Sequence, residues 1–374
     1  MMFSPGRLTL ARARRRLPQA ELAGYVGVPA RRISDFERGR AEPGEDTLRL
    51  LAERLRFPVE FFAREEPAEI ATDAVSFRAR RKTAKRKVGA AVSASTLAVE
   101  FNDWLERNFE LPAPDVPDLG GFDPHTAAEM LRVRWSVDCK PVPNLVHLLE
   151  SRGVRVFAHA ADYSDVDAFS FRHSARPFVF LNTFTSGERG RFDAAHELGH
   201  LVLHSGSVEL TGSAVEREAD AFAGAFLMPR DSVFASMPRS PLTGQLLEGK
   251  SIWRVSAMAL AHRVHELGLL GEERYRDACV ELSARGYRDG EPDGVRREGS
   301  QLLEKVLRSL RARGISVGRI AEELALPVED VAGFLRGLAI VPVHETVDSV
   351  ERMRVHRESE QTRGYPALKP VPSG

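Results

Sequence analysis

The segment His196-Glu197-Leu198-Gly199-His200 is the feature that most constrains this chain of 374 residues. Two histidines four residues apart lie on one face of an α-helix, where both imidazoles can reach the same zinc ion. Glu197 follows the first of them, and its carboxylate is placed to take a proton from an attacking water molecule. We therefore expect a helix here, with His196 and His200 as metal ligands and Glu197 as the catalytic residue.

A zinc site of this kind needs a third protein ligand. The stretch 215–223 has the pattern of a helix and contains two glutamates, Glu216 and Glu218. Only one of the two can share a helix face with Asp220, and Glu216 lies four residues before it. We assign Glu216 as the third ligand, and Asp220 as the group that orients a zinc-bound histidine through its other ring nitrogen. Glu218 remains the alternative ligand.

The surroundings of this segment resemble the ImmA/IrrE family of metallopeptidases over residues 124–287. The resemblance is carried by Arg189-x-Arg191-Phe192, Ala195-His196-Glu197-Leu198-Gly199-His200, Leu203-His204, Met228-Pro229 and Trp253-x-Val255-Ser256. It implies an α+β, gluzincin-like fold that binds zinc. For several relatives it also implies cleavage of a partner transcriptional repressor.

Residues 18–40 carry the pattern of a helix-turn-helix. Pro18 begins one helix, Gly27 supplies the turn and Pro29 begins a second helix. Five apolar residues have the spacing to pack these helices together: Leu22, Ala23, Val28, Ile33 and Phe36. We expect the outward-facing side chains to contact base edges and phosphates in a major groove, namely Ala30, Arg31, Arg32, Ser34, Asp35 and Arg38. Gln19, at the amino end of the first helix, is expected to reach a phosphate.

This N-terminal segment is similar to the Cro/C1-type (Xre) helix-turn-helix family. The matching motifs are Gln19-x-Glu21-Leu22-Ala23, Gly27-Val28, Ile33-Ser34, Glu37-Arg38-Gly39-Arg40 and Thr47-Leu48. The similarity implies a five-helix, lambda-repressor-like domain. It also implies that a homodimer binds double-stranded DNA in a sequence-specific way.

The charge distribution agrees with a nucleic-acid partner at the N-terminus. The formal net charge of the chain is zero, but arginines are concentrated at residues 7–40, and a second basic run follows at residues 78–87. Affinity for the DNA backbone comes largely from arginine and lysine side chains that displace counterions. The second run is equally consistent with a solvated linker.

The pattern along the chain predicts a mainly α protein with a small β-sheet, divided into five segments. These are a helix-turn-helix domain at 1–67, a basic and helical linker at 68–121, a peptidase domain at 122–298, a helical region resembling a second helix-turn-helix at 299–345, and a disordered tail at 346–374. Strands are expected at 154–157 and 177–181. No apolar run is long enough to cross a membrane and no export signal is evident, so we expect a cytoplasmic protein without a membrane partner.

The C-terminal helical region is expected to serve in dimerisation or substrate docking rather than in phosphate contact. Two short helices surround Leu326-Pro327, and their apolar residues are predicted to face inward: Ile320, Leu324, Val331, Phe334 and Leu335. The predicted outward face is acidic, through Glu322, Glu323, Glu329 and Asp330. Such a face repels phosphate.

Together these patterns predict a DNA-binding regulator with a zinc metallopeptidase domain. The peptidase would cleave a protein substrate, either a partner repressor or the chain itself, to control gene expression in a stress or mobile-element response. One alternative is a non-catalytic transcription factor in which the peptidase-like pocket senses a ligand or a metal. Another is an antitoxin-like repressor of its own operon.

Overall fold

A computed structural model describes residues 2–68, 70, 76–79, 85–159, 166–204, 212–288 and 290–340. The tail predicted at 346–374 lies outside the described residues, and of the basic run at 78–87 only the backbone of residues 78–79 and 85–87 is described. The expected combination of many helices with a small sheet is confirmed. Among the described helices, none is both long and apolar enough to span a membrane.

The N-terminal domain consists of four α-helices and one short 3-10 helix, in agreement with the predicted five helices. They are α1 (Pro5–Arg14), α2 (Gln19–Val26), α3 (Ala30–Glu37), α4 (Glu45–Leu55) and the 3-10 helix Val59–Ala63. Gly27 follows α2 with a φ of 71°, a left-handed conformation that glycine adopts without strain. Leu22, Ile33 and Phe36 are buried between the helices, as their spacing predicted.

The next segment adds a strand, β1 (Ser76–Ala79), and a long helix, α5 (Lys85–Asn108). This helix lies in the segment 68–121, which we predicted to be a basic and helical linker. It packs on α1, where Arg7 Nη1 lies 2.6 Å from Glu100 Oε1. The N-terminal domain and the segment that follows it are therefore in direct contact.

The sheet has four strands, of which the sequence predicted two. Strands β2 (Arg155–Ala158), β3 (Val166–His173) and β4 (Arg176–Leu181) join β1 in the order β1-β3-β4-β2. β2 is parallel to β4, and the other two pairings are antiparallel. Stacked aromatic pairs hold β3 against β4; the ring centroids of Phe169 and Phe180 are 4.7 Å apart. β1 belongs to the segment that we predicted as a linker.

Eight helices of the described chain accompany the sheet: α6 (Pro124–Arg134), α7 (Leu145–Ser151), α8 (Gly187–Leu203), α9 (Ser213–Leu227), α10 (Arg230–Ser236), α11 (Thr243–Trp253), α12 (Ala257–Glu266) and α13 (Glu272–Ala284). α8 lies against β3 and β4, and α9 packs on α8. Gly199 permits this close approach, because a Cβ there would lie 3.1 Å from Phe222 Cδ1 and 3.2 Å from Ala219 Cα. The sequence around the predicted zinc ligands thus brings two helices together.

The C-terminal region forms α14 (Gln301–Ala312), α15 (Val317–Leu324) and α16 (Val328–Leu335). The residues predicted to face inward are buried, but the prediction that Asp330 faces outward is wrong. Asp330 is 1% exposed and lies 2.5 Å from Arg14 Nη2 and 3.0 Å from Arg15 Nη2, at the end of α1. α16 also packs on β2, so this helix contacts both the sheet and the N-terminal domain.

Glu150 joins α7 to the first turn of α14, and its burial gives the protein a pH-dependent stability. The hydroxyl of Ser300 donates to this carboxylate, and the Leu302 amide donates to it at 3.0 Å. Burial raises the pKa of Glu150 to about 7 from its ordinary value of 4.5, although these hydrogen bonds act to lower it. The folded protein therefore prefers the neutral acid more strongly than the unfolded chain does. The contribution of Glu150 to the free energy of unfolding is fully present below pH 4.5 and is lost as the pH rises through 7.

We expect the wild type to lose about 2 to 3 kcal/mol relative to Glu150→Gln between pH 5 and pH 8. Urea unfolding of both proteins at several pH values measures this difference. Glu248→Gln is the control, because Glu248 is an exposed carboxylate on α11 that is not among the groups acting on Glu150. A constant difference between wild type and Glu150→Gln across this range would contradict the assignment.

Candidate metal centre and DNA-binding face

The helices α8 and α9 bring three potential metal ligands to one point. His196 Nε2 and His200 Nε2 are 3.0 Å apart, and the Glu216 carboxylate lies 3.5 Å from the first and 3.4 Å from the second. The ligand atoms of these three residues all lie within 4.8 Å of one another. In the described part of the chain, this is the group of histidine, cysteine and acidic residues with the geometry to hold a metal ion.

The donor chemistry of this cluster fits zinc. Asp220 Oδ1 lies 2.8 Å from His196 Nδ1, and because an ionised carboxylate only accepts hydrogen bonds, Nδ1 is the donor. In the neutral imidazole, His196 Nε2 then keeps a lone pair that faces His200 and Glu216. Two imidazole nitrogens and a carboxylate are a ligand set that zinc adopts in catalytic sites.

The local electrostatics keep two of these groups in their ligand forms. Burial lowers the pKa of His200 to about 4 against the opposing effect of Glu216, so this imidazole is neutral at pH 7. Burial acts to raise the pKa of Glu216, but the neighbouring His196 and His200 outweigh it and hold that pKa well below the ordinary range. A neutral imidazole and an ionised carboxylate are the forms that bind metal.

Glu197 lies beside this cluster, and only one of its two carboxylate oxygens accepts a hydrogen bond from the described residues. The side chain is 1% exposed, and the Ser170 hydroxyl on β3 donates to Oε2 at 2.7 Å. Oε1 has no hydrogen-bond partner among the described residues. Burial raises the pKa of Glu197 to about 7, although His196 and Ser170 lower it. A carboxylate with a pKa near the working pH suits proton transfer in both directions.

The structure brings together four residues that the sequence singled out, His196, His200, Glu216 and Asp220. Glu218, the alternative ligand, contacts His204 at 2.9 Å and is not one of the three clustered ligands. The role of each residue stays a prediction. Ser170 was missed, although the alternation of Phe169, Ser170 and Phe171 is a signal for a strand with one polar position.

The predicted DNA-binding residues lie along α3. Ala30, Arg31 and Arg32 are exposed, whereas Ser34 and Asp35 are half-buried. The guanidinium of Arg32 lies 5.4 Å from the centroid of the Phe36 ring, and this cation–π contact holds the arginine side chain against the surface of α3. Arg38, which directly follows the helix, is also exposed.

The amide of Gln19, which we expected to contact a phosphate, is engaged within the domain. Its Nε2 donates to Glu37 Oε2 at 2.5 Å, and Arg12 Nε donates to the other oxygen of that carboxylate at 2.5 Å. Glu37 therefore fixes the end of α3 to α1 and α2. A phosphate contact by Gln19 would require its amide to be shared with Glu37.

Two protein-family models match the chain, one at each of these sites. The helix-turn-helix model matches residues 8–62, and the model of the IrrE N-terminal-like domain, a peptidase family, matches residues 149–265. The second match includes β2 to β4, α8 and α9, and therefore the whole candidate metal centre. A comparison with curated proteins finds no match. The chain thus joins a helix-turn-helix DNA-binding domain at residues 8–62 to an IrrE N-terminal-like peptidase domain at residues 149–265.

Proposed function

We propose that this protein is a transcriptional regulator that binds operator DNA as a homodimer and uses a zinc peptidase site to cleave a partner repressor or itself. The observation that carries the proposal is Glu197, a buried base beside the histidine and glutamate cluster of a chain that also exposes a recognition helix. A DNA-binding domain on the same chain as a peptidase brings cleavage to the place where a repressor acts. The substrate class is therefore a DNA-bound regulatory protein.

Each residue of the site has a distinct task in this proposal. His196, His200 and Glu216 would hold a zinc ion, which supplies Lewis acidity toward a peptide carbonyl and a water molecule. Glu197 takes the proton of the attacking water on Oε1 and passes it to the leaving amine. The Ser170 hydroxyl donates to Oε2 at 2.7 Å. This hydrogen bond fixes the carboxylate and leaves Oε1 to accept the proton. The burial of Glu197 keeps bulk water away from the proton transfer.

The alternative is a sensor, in which the same pocket binds a metal or ligand and alters DNA binding without catalysis. The contact of α16 with both α1 and β2 favours it as a second candidate, because it links the two domains physically. The two functions differ in what they require of Glu197. A peptidase needs its proton transfer, whereas a sensor needs only the pocket.

The deciding experiment compares wild type with Glu197→Gln in cleavage and in regulation. Zinc-loaded protein is incubated alone and with a candidate repressor, and fragments are identified by mass spectrometry. We expect cleavage to fall at least about a hundredfold in Glu197→Gln, with the zinc content unchanged, because general-base catalysis is removed. If neither protein is cut while Glu197→Gln regulates a reporter as the wild type does, the peptidase function is wrong and the sensor is favoured.

DNA binding by α3 gives a separate prediction. We expect Arg31→Ala/Arg32→Ala to weaken binding at least about tenfold, because each lost base or phosphate contact costs about 1 to 3 kcal/mol. The salt dependence of binding should also become shallower, since fewer counterions are released. Fluorescence anisotropy with a duplex taken from upstream of the gene itself measures both quantities.

The matched control for this variant is Arg49→Ala/Arg54→Ala on α4. It removes the same charge, and both arginines are engaged with acidic residues of the domain itself, Asp46 and Glu21 respectively. Binding should stay close to wild type in the control. Equal losses in the two variants would mean that total charge, and not the α3 face, governs DNA affinity.

A further inference from the structure

His204 and Glu218 extend the hydrogen bonds of the metal centre to the protein surface, although neither belongs to the proposed ligand set. His200 Nδ1 lies 3.1 Å from His204 Nδ1, and His204 Nε2 lies 2.9 Å from Glu218 Oε2. The His204 side chain is 5% exposed, whereas that of Glu218 is 52% exposed. The three side chains therefore form a chain from a buried ligand to solvent.

The carboxylate at the outer end determines which ring nitrogens carry protons. Because an ionised carboxylate only accepts hydrogen bonds, His204 Nε2 is the donor to Glu218. In a neutral His204 ring, Nδ1 is then the acceptor, and His200 Nδ1 donates to it. His200 Nε2 is left with its lone pair, and this is the atom that faces His196 and Glu216.

We propose that His204 is a positioning residue for the metal, which together with Glu218 fixes the tautomer and ring orientation of His200. The inference rests on the proposed zinc site. Asp220 has the same role for His196 by a direct contact of 2.8 Å. His200 has no comparable direct carboxylate in the described structure; its Nδ1 reaches Glu218 through the intervening imidazole of His204. Groups that orient a ligand in this way commonly change metal affinity tenfold to about a hundredfold.

The spacing on α9 explains why three acidic residues are needed there. Glu216 faces both histidine ligands, Asp220 contacts His196, and Glu218 contacts His204. His204 directly follows the last residue of α8. A carboxylate on α9 that contacts His204 must therefore point to the C-terminal end of α8. Glu218, two residues from each of the others, projects in a different direction from both. The alternative ligand of the sequence prediction thus has a separate task.

The test compares two substitutions of nearly equal size at His204. In His204→Asn an amide oxygen remains close to the position of Nδ1 and can accept the His200 proton, whereas His204→Leu offers no acceptor. We expect zinc affinity, measured by competition with a chelator, to fall tenfold to about a hundredfold in His204→Leu and to be largely retained in His204→Asn. Equal affinities in both variants, whether both lowered or both unchanged, would overturn the proposal.

A second measurement uses the wild-type protein and so does not depend on the folding of a variant. Long-range 1H–15N spectra of zinc-loaded, 15N-histidine-labelled wild type should show the Nε2–H tautomer at His204 and the Nδ1–H tautomer at His200. A doubly protonated His204, or one protonated at Nδ1, would overturn the proposal. Both readouts are independent of peptide cleavage. The protein could show these tautomers and bind zinc and yet cleave no peptide bond. That result would contradict only the proposed peptidase function.

Discussion

Replacing Glu216 with glutamine is expected to lower the zinc affinity of the full-length protein at least about a hundredfold. Outer hydrogen-bond partners of a metal site already contribute tenfold to a hundredfold, and a direct ligand contributes more. Glu216 is the acidic member of the three clustered ligands, at 3.4 Å and 3.5 Å from the two histidine nitrogens. The amide removes the charge that balances a divalent cation and leaves two neutral imidazoles. Competition with a chelator of known affinity gives the change directly.

Glu218→Gln is the matched control, because it makes the same chemical change on the same helix. Its amide oxygen can still accept the hydrogen bond from His204 Nε2, so the loss of zinc affinity should be much smaller than in Glu216→Gln. The rise in melting temperature that zinc produces is a second readout, since the stabilisation by a ligand increases with the logarithm of its affinity. If Glu218→Gln lost zinc while Glu216→Gln kept it, Glu218 would be the third ligand.

Features that depend on local periodicity could be predicted from the sequence. Pro18, Gly27 and Pro29 mark the limits of α2 and α3, because proline fixes φ and glycine permits a positive φ in any fold. The pair His196 and His200, and the spacing of Glu216 to Asp220, rely on the helical repeat alone. Strands β2 and β4 are apolar after an initial arginine, and they were predicted to within one residue at each end.

The features that were missed depend on contacts between distant segments. β3 mixes phenylalanine with polar residues, and β1 lies where the basic run begins, so neither has the apolar run of a buried strand. Ser170 acts on Glu197 only because α8 lies across β3. The orientation of Asp330 was predicted wrongly because a helix with one apolar face was assumed to leave its other face in water.

The same error reveals how the two domains are joined. The acidic residues of the C-terminal region were expected to repel phosphate. Two of them instead contact other parts of the chain, one the N-terminal domain and the other helix α5. Asp330 pairs with Arg14 and Arg15, and Glu323 accepts a hydrogen bond from Trp104 Nε1 at 2.9 Å. Part of the basic charge near the N-terminus therefore serves an interface within the chain. Arg31, Arg32 and Arg38 are exposed and are not among the residues of this interface.

Asp330→Asn is expected to cost about 3 to 5 kcal/mol, because removing one partner of a buried ion pair leaves the remaining charges uncompensated. Asp330 is fully enclosed, and Arg14 is 6% exposed, so little water is present to solvate the guanidinium. The asparagine is nearly the same size, so the loss reports on charge and not on a cavity. Urea unfolding followed by tryptophan fluorescence and by circular dichroism measures it.

Glu329→Gln is the control, since Glu329 is 57% exposed and its carboxylate lies 3.8 Å from Arg15 Nη2. An exposed pair of this kind contributes less than about 1 kcal/mol. In Asp330→Asn we further expect two unfolding transitions in place of one, because α16 contacts both α1 and β2 and loses its hold on α1. A single transition at wild-type stability would mean that the other contacts, among them Arg7 with Glu100, join the domains without Asp330. Two transitions would mean that Asp330 couples the DNA-binding domain to the peptidase sheet, the connection through which either could influence the other.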